Sequence, residues 1–275
     1  MITELEFKSL AGQGYNRIPL MAEAFADLET PLSLYLKLAS GAGGSGAGRY
    51  SFLLESVIGG ERFGRYSFIG LPARTILRAS GFGANARTEV VTDGKVVETA
   101  EGNPLDFIGD YQKRFKVALR PGLPRFCGGL AGYFGYDTVR HIEKKLEKTC
   151  PPDPLGLPDI LLMHSEEVAV IDNLSGKLYL IVYADPAQAE AYSNAKKRLK
   201  TLREQLRYSV SVPQVKATQG FPAEREFAKA DYLKAVERAK ELIAAGDFMQ
   251  VQVGQRIHKR YTESPLSLYR ALRSL

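Results

Sequence analysis

Apolar patterning along the chain first predicts where helices form. Helical spacing of apolar residues, together with capping signals, favours helices over residues 19–25, 30–38, 105–115, 186–206, 231–246 and 264–275. Thr30 is a candidate N-cap directly before Pro31. Asp231 is a second candidate cap, and Gly246 is expected to end the helix that follows it.

Strand patterns fill most of the remaining chain. The predicted strands cover residues 51–56, 75–80, 128–137, 160–171, 177–183 and 248–256. Residues 89–97 predict a hairpin across Asp93 and Gly94, and residues 172–176 form the turn of a second hairpin. Because strands follow one another through hairpins, we expect an α+β fold of mixed, mainly antiparallel sheets with flanking helices. A Rossmann-type order is not expected.

Composition places the chain among globular proteins, with 45% hydrophobic and 25% charged residues. No apolar run approaches the roughly 20 residues that a membrane span needs. The short acidic start is unlike a signal peptide. Cys127 and Cys150 are too few for a disulfide framework and lack a zinc-like spacing. We therefore expect a soluble, cytoplasmic protein that does not bind membranes.

The net charge of +6 raises the question of nucleic-acid binding. The densest basic run, residues 196–207, lies on a predicted helix whose opposite stripe contains Ala195, Leu199, Leu202 and Leu206. No aromatic interleaving or recognition motif accompanies it. We interpret the run as a solvated helix face and expect no nucleic-acid partner.

Most catalytic constellations are absent from the sequence. His141, His164 and His258 have no metal-ligand spacing, and His164 fits a structural position in a strand. The glycines of residues 128–137 are expected to permit close backbone approach, while Tyr133, Phe134 and Tyr136 cover a core. In the strand at 248–256, Gln250, Gln252 and Arg256 share one face, which could line a polar site or meet solvent.

Three segments together resemble the large subunit, component I, of anthranilate synthase. They are residues 53–56 with 59–70, residues 128–137 and residues 245–256, in the order and spacing of that family. The resemblance covers the whole chain but only about the first half of such a protein. It implies conversion of chorismate and ammonia to anthranilate and pyruvate, with Mg²⁺ in the active site. A glutamine amidotransferase subunit, component II, would supply the ammonia.

The resemblance also divides the chain and assigns its parts. Residues 1–207 would form an N-terminal regulatory, tryptophan-sensing domain, residues 208–224 a polar linker, and residues 225–275 the truncated start of the chorismate-binding domain. The last helix ends without a cap, which favours a chain lacking its catalytic half and inactive alone. The chorismate and Mg²⁺ residues of the family would lie beyond Leu275, so no catalytic or metal residue is assigned.

The resemblance places part of an L-tryptophan feedback site at Leu54, Glu55 and Ser56, with Ser56 the principal residue. Glu55 could meet the ammonium of the amino acid, and the Ser56 hydroxyl or amide its polar backbone atoms. Alternatively, both residues simply end a strand before the turn at 59–60.

The chain departs from the family pattern in the glycine-rich stretch 41–48, which resembles an insertion in a flexible loop, and in Gly254. The alternatives for its function are aminodeoxychorismate synthase component I and a non-catalytic amino-acid-sensing module.

Overall fold

The chain folds into two compact units, Met1–Val210 and Ser211–Leu275. The computed structural model describes residues 1–39, 50–56, 64–151, 153–210 and 220–275. The predicted glycine-rich loop at 41–48, the turn at 59–60 and most of the predicted linker at 208–224 therefore lie outside the described residues.

The first unit contains helices and strands in mixed order. Its helices are α1 (Glu4–Gly12), α2 (Pro31–Leu38), α3 (Pro104–Lys113) and α4 (Ala191–Gln205). Its strands are β1 (Ile18–Phe25), β2 (Tyr50–Leu54), β3 (Tyr66–Ala73), β4 (Thr75–Ser80), β5 (Arg87–Thr92), β6 (Lys95–Glu101), β7 (Gly129–Phe134), β8 (Ile160–Ser165), β9 (Glu167–Asp172) and β10 (Lys177–Ala184). Short 3₁₀ turns cover Gly83–Asn85, Tyr136–His141 and Lys144–Leu146.

These strands form two five-stranded sheets. Sheet A has the order β1-β10-β9-β3-β2, and sheet B has the order β6-β5-β4-β8-β7. All of these neighbouring strands are antiparallel. With helices packed on the sheets, the architecture is the expected α+β fold with antiparallel sheets.

At two points, the chain passes directly from a strand of one sheet into a strand of the other. The chain leaves β3 in sheet A and enters β4 in sheet B through Arg74, and it returns from β8 to β9 through Glu166. β3 pairs with β9, and β4 pairs with β8. We call this pair of bent strands, Tyr66–Ser80 with Ile160–Asp172, the bent ribbon. It joins the two sheets.

Helices cover one face of each sheet. On sheet A, the helices α1, α2 and α4 pack over a core that includes Leu20, Leu34, Leu180 and Leu199, all at most 1% exposed. On sheet B, α3 places Ile108 and Tyr111 against a second core around Leu77, Val90 and Leu162. Burying a leucine side chain contributes about 1.5–3 kcal/mol, so these layers hold the first unit together.

The second unit is smaller and has little interior. It contains β11 (Ala223–Arg225), α5 (Lys229–Ala245), β12 (Ile257–Lys259) and α6 (Pro265–Arg273), with β11 and β12 paired. Neither α5 nor α6 has a buried residue. Among the helices within the described ranges, none is both long and apolar enough to cross a membrane.

Several predicted elements are confirmed. Helix α2 begins after Thr30, whose hydroxyl accepts from Ser33 N at 3.1 Å, with Pro31 in the first turn. Strand β4 has the predicted bounds, and β5 and β6 form the hairpin across Asp93 and Gly94. Helix α5 ends at Gly246, in the left-handed conformation with φ 83°. Helix α4 buries Ala195, Leu199 and Leu202 and exposes Lys196, Lys197, Lys200 and Arg203, as expected, whereas Arg198 is half-buried beside Glu167.

Other expectations were wrong for reasons of tertiary structure. Residues 19–25 form strand β1, because β10 pairs with that segment along its whole length. The predicted strand 160–171 is broken at Glu166, since its halves belong to different sheets. Residues 248–256 contain no strand, and the short strand β12 follows them. Helix α4 begins at Ala191 rather than at residue 186.

Two local expectations were also wrong. Ala228, not Asp231, is the N-cap of α5, and Asp231 lies in its first turn. Tyr133, Phe134 and Tyr136 do not cover a core, since they are 42%, 52% and 94% exposed.

Candidate functional site

The predicted effector residues lie where β2 ends. Leu53 packs toward the helix-covered core of sheet A, whereas Leu54 points outward and is 55% exposed. Glu55 and Ser56 follow the strand and are half-buried. The three predicted residues Leu54, Glu55 and Ser56 therefore lie in succession at one strand end.

Both hydrogen-bond donors of Ser56 are already used within the chain. Its backbone N–H donates to the hydroxyl oxygen of Ser67 at 3.1 Å. Its own hydroxyl donates to the carbonyl oxygen of Tyr66 at 2.7 Å. The Ser56 Oγ keeps acceptor lone pairs, because a hydroxyl carries one donor and two acceptor sites. A ligand N–H, rather than a ligand carboxylate, is the group that this hydroxyl suits.

The turn that contains Asn173, 106 positions after Ser67, holds Ser67 in place. The side-chain amide of Asn173, between β9 and β10, donates to Ser67 Oγ and to the carbonyl oxygen of Gly64, both at 3.2 Å. Asn173 N donates to the carbonyl oxygen of Arg65 at 2.8 Å. Sequence analysis identified this turn but did not connect it to Ser56. Its signal was the Asp-Asn-Leu-Ser-Gly sequence of residues 172–176, typical of a side-chain-stabilised turn.

The buried carboxylate of Asp172 anchors the same turn. Asp172 is 1% exposed and accepts from Arg65 Nε at 3.0 Å and Nη2 at 2.7 Å. It also accepts from the backbone N–H groups of Leu174 and Ser175. The Arg65 hydrogen bonds, aided by the turn, lower the pKa of Asp172 to about 2. We call Ser56, Ser67, Arg65, Asp172 and Asn173 the Asn173 network.

Aromatic side chains on the neighbouring strands provide an apolar surface. The Phe68 ring meets Phe126 edge to face with centroids 5.5 Å apart, and Phe52 lies 6.3 Å from Phe126. The Phe52 ring occupies the space that a side chain at Gly70 would need. Strands β2 and β3 thus carry both polar acceptors and aromatic rings, the combination that an aromatic amino acid requires.

A cavity of about 1090 Å³ lies elsewhere in the first unit, at the bend of the ribbon. Its lining includes Leu71, His164, Glu166, Arg198 and Gln205, but none of the three predicted effector residues. Its charged groups are largely paired: Arg17 meets Glu166 at 2.8 Å and Asp185 at 3.0 Å, and Arg198 meets Glu167 at 2.7 Å. We therefore do not place the candidate site there.

The histidines have structural surroundings. His164 lies in β8 with its ring 4.6 Å from that of Phe115, and burial lowers its pKa. Burial likewise lowers the pKa of His141, whose ring lies 5.0 Å from that of Phe82. His258 Nε2 is 3.2 Å from Glu226 Oε1.

No metal centre is evident in the part of the chain that the structure describes. Within those ranges, no group of three or more His, Cys, Asp or Glu side chains could hold an ion. The described residues therefore do not fit a magnesium site.

Close backbone approach explains three glycines of the 128–137 segment. A side chain at Gly132 would collide with the Leu161 carbonyl oxygen, and one at Gly135 would lie 2.8 Å from the Asp159 carbonyl oxygen. At Gly128, with φ 146°, it would lie 2.5 Å from the Tyr183 ring. This part of the expectation for the segment is confirmed, because β7 packs tightly along β8.

Comparisons with known proteins agree on a family. The chorismate binding enzyme family matches residues 70–275. Anthranilate synthase component 1 of Neisseria meningitidis serogroup B is 51% identical over 278 residues, covering 100% of this chain and 54% of that protein. Its counterpart in Pseudomonas putida is 49% identical over 274 residues, covering 98% of this chain and 53% of the relative.

A solved structure has the same fold. The crystal structure of anthranilate synthase component I from Streptococcus pneumoniae TIGR4 superposes with a TM-score of 0.60 at 24% identity. It covers 91% of this chain and 52% of the other. The chain spans about half the length of the curated relatives it matches. It belongs to the chorismate-binding enzyme family and, over its whole length, is a relative of anthranilate synthase component 1.

Proposed function

We propose that the complete protein containing this chain is component I of anthranilate synthase, a lyase of tryptophan biosynthesis. It would convert chorismate and ammonia to anthranilate and pyruvate. The observation that carries the proposal is the 51% identity to anthranilate synthase component 1 over the entire chain. The family match over residues 70–275 supports a chorismate substrate.

The proposal extends to the partners of the complete enzyme. A glutamine amidotransferase, component II, would supply the ammonia, and Mg²⁺ would bind in the active site. The component 1 name of the relatives supports a second component. Magnesium follows from the family resemblance alone, and we assign it no ligand among the described residues.

We further propose that L-tryptophan inhibits the enzyme by binding beside Leu54, Glu55 and Ser56. The acceptor lone pairs of Ser56 Oγ, whose own proton goes to the Tyr66 carbonyl oxygen, suit an ammonium or indole N–H, and the carboxylate of Glu55 adds negative charge for the ammonium. The rings of Phe52 on β2 and Phe68 on β3, with Phe126 next to both, supply apolar surface. Binding that favours a state with weaker chorismate affinity would couple the two sites by about 1–3 kcal/mol.

One experiment tests both parts. The complete protein is assayed with chorismate, ammonium and Mg²⁺, following anthranilate by fluorescence and pyruvate by a coupled assay, with and without L-tryptophan. We expect both products in equal amounts and inhibition by L- but not D-tryptophan. An aminated chorismate formed without pyruvate would contradict anthranilate synthase activity and identify the aminodeoxychorismate reaction.

A Ser56→Arg variant tests the effector site in the same assay. The longer, charged side chain should repel the ammonium and relieve inhibition by at least about tenfold, with turnover retained. Ser9→Arg, at an exposed position of α1, is the matched control for the added charge. Unchanged inhibition in Ser56→Arg would remove the effector site from this strand end.

A further inference from the structure

The hydroxyl of Ser67 connects Asn173 to the effector strand. Ser67 is fully buried, at 0% exposure, and its oxygen accepts from two N–H groups, those of Ser56 and of the Asn173 side chain. A hydroxyl oxygen has two acceptor sites, so this pair fills its acceptor capacity. Loss of the Asn173 side-chain donor therefore changes the hydrogen bonding of the Ser67 hydroxyl, which orients the Ser56 backbone.

The turn that presents Asn173 is itself firmly held. Asp172 joins the guanidinium of Arg65 to the N–H groups of residues 174 and 175. Asn173 N reaches the Arg65 carbonyl oxygen at 2.8 Å. The Asn173 side chain therefore meets Ser67 from a position that its own turn defines, rather than as a free surface amide.

Ser67 is buried, whereas its partner Asn173 is exposed. Ser67 lies inside sheet A, where an acceptor deprived of a donor cannot turn to water. Asn173 is on an exposed turn, where truncation of the side chain leaves no cavity. Truncation of Asn173 thus removes the hydrogen bond to Ser67 without creating a cavity in the core.

We propose that Asn173 is a positioning residue for tryptophan recognition, acting on Ser56 through the Ser67 hydroxyl. It does not contact the ligand; it orients the Ser56 backbone, and with it the Ser56 oxygen that accepts from the ligand. This inference rests on the effector site proposed above, and it adds the residue that determines how well that site is formed.

The test is tryptophan inhibition of the complete enzyme carrying Asn173→Ala. We expect the concentration for half-inhibition to rise about 3- to 10-fold, the effect of losing one hydrogen bond. Without tryptophan, kcat and the KM for chorismate should stay within about twofold of wild type. Asn85→Ala, at an exposed loop of sheet B, is the matched control and should leave inhibition unchanged.

A double-variant cycle shows whether the effect passes through Ser67. If it does, Asn173→Ala combined with Ser67→Ala should raise the half-inhibition concentration no more than Ser67→Ala alone. The inference would be overturned if the effects of Asn173→Ala and Ser67→Ala on the half-inhibition concentration were fully additive. It would also be overturned if Asn173→Ala were inhibited by tryptophan like wild type, even where Ser56→Arg has lost sensitivity to tryptophan. A wild-type enzyme that does not respond to tryptophan would overturn the effector site and this inference together.

Discussion

At the scale of single residues, Asp172 carries an unusual share of the local order, because one buried carboxylate holds both Arg65 and the turn before β10. We expect Asp172→Asn to lower the free energy of unfolding at neutral pH by about 1–3 kcal/mol, the range for hydrogen bonds to a charged group. Asp93→Asn is the control, since Asp93 forms the same two-bonded pair with Arg74 in solvent and should matter less.

The effect of Asp172 depends on pH in a defined direction. Its pKa is about 2 in the folded chain against an ordinary value of 3.8, so the carboxylate stabilises the fold above about pH 4. That stabilisation is lost as the pH falls toward 2, where the folded group takes up its proton. Urea unfolding between pH 2 and 7 should show wild type and Asp172→Asn converging at the acid end. A constant difference between them would contradict this assignment.

Ser56 shows how far sequence reasoning reaches at this scale. The sequence pointed to this residue because it lies in residues 53–56, part of one of the three segments that together carry the family resemblance. Its partner Ser67 and the amide of Asn173 could not be predicted, since Asn173 and Ser67 meet only when β3 and β9 pair. The hydrogen bonds that use both Ser56 donors were missed for the same reason.

At the scale of elements, strand β7 depends on glycine for its contact with β8. An added methyl at Gly132 would meet the Leu161 carbonyl, which is backbone and cannot move aside. We expect Gly132→Ala to lower the free energy of unfolding by about 1–3 kcal/mol, as for other overpacked sites. Chemical denaturation measures this directly.

The control for that experiment is a glycine with open space. Gly109 lies inside α3 with nothing within 4 Å of the position of an added methyl. Gly109→Ala should stabilise the protein by up to about 1 kcal/mol, since alanine favours a helix more than glycine does. Equal destabilisation by both substitutions would mean that the close approach of β7 and β8 is not the cause.

Elements defined by local signals were predicted well, and those defined by distant pairing were not. The Thr30 cap and the Asp93-Gly94 turn act within a few residues, so α2 and the β5–β6 hairpin could be predicted from sequence. Strand β1 has helix-forming residues but pairs with β10. The two strands lie more than 150 positions apart in the sequence, as the contact between Glu23 and Lys177 shows. The break at Glu166 likewise follows from the two sheets rather than from any local signal.

At the scale of the whole molecule, the described buried core lies entirely within the first unit. Every buried hydrophobic side chain in the described ranges lies between Ile2 and Leu202. In the second unit, large apolar residues such as Met249 and Leu272 are 97% and 59% exposed. A unit whose described residues include no buried side chain cannot offset the conformational entropy of folding.

We therefore expect the two units to behave differently when separated. Residues 1–210 alone should unfold cooperatively in urea and show dispersed amide NMR signals. Residues 211–275 alone should show neither. Cooperative unfolding of the smaller fragment would contradict the link between its exposed apolar residues and its stability.

The bent ribbon also determines how quickly this chain reaches its native state. Its two strands meet at pairs such as Phe68 with Val170, about 100 positions apart, and each sheet contains one half of the ribbon. The entropy of closing so large a loop is lost before any of those contacts is gained. Hairpins such as β5–β6 form within about 1–10 μs, whereas the two sheets are complete only after long-range pairings such as β3–β9, β4–β8 and β1–β10 have formed. We therefore expect these long-range pairings to limit the folding of the first unit, on the order of milliseconds to seconds.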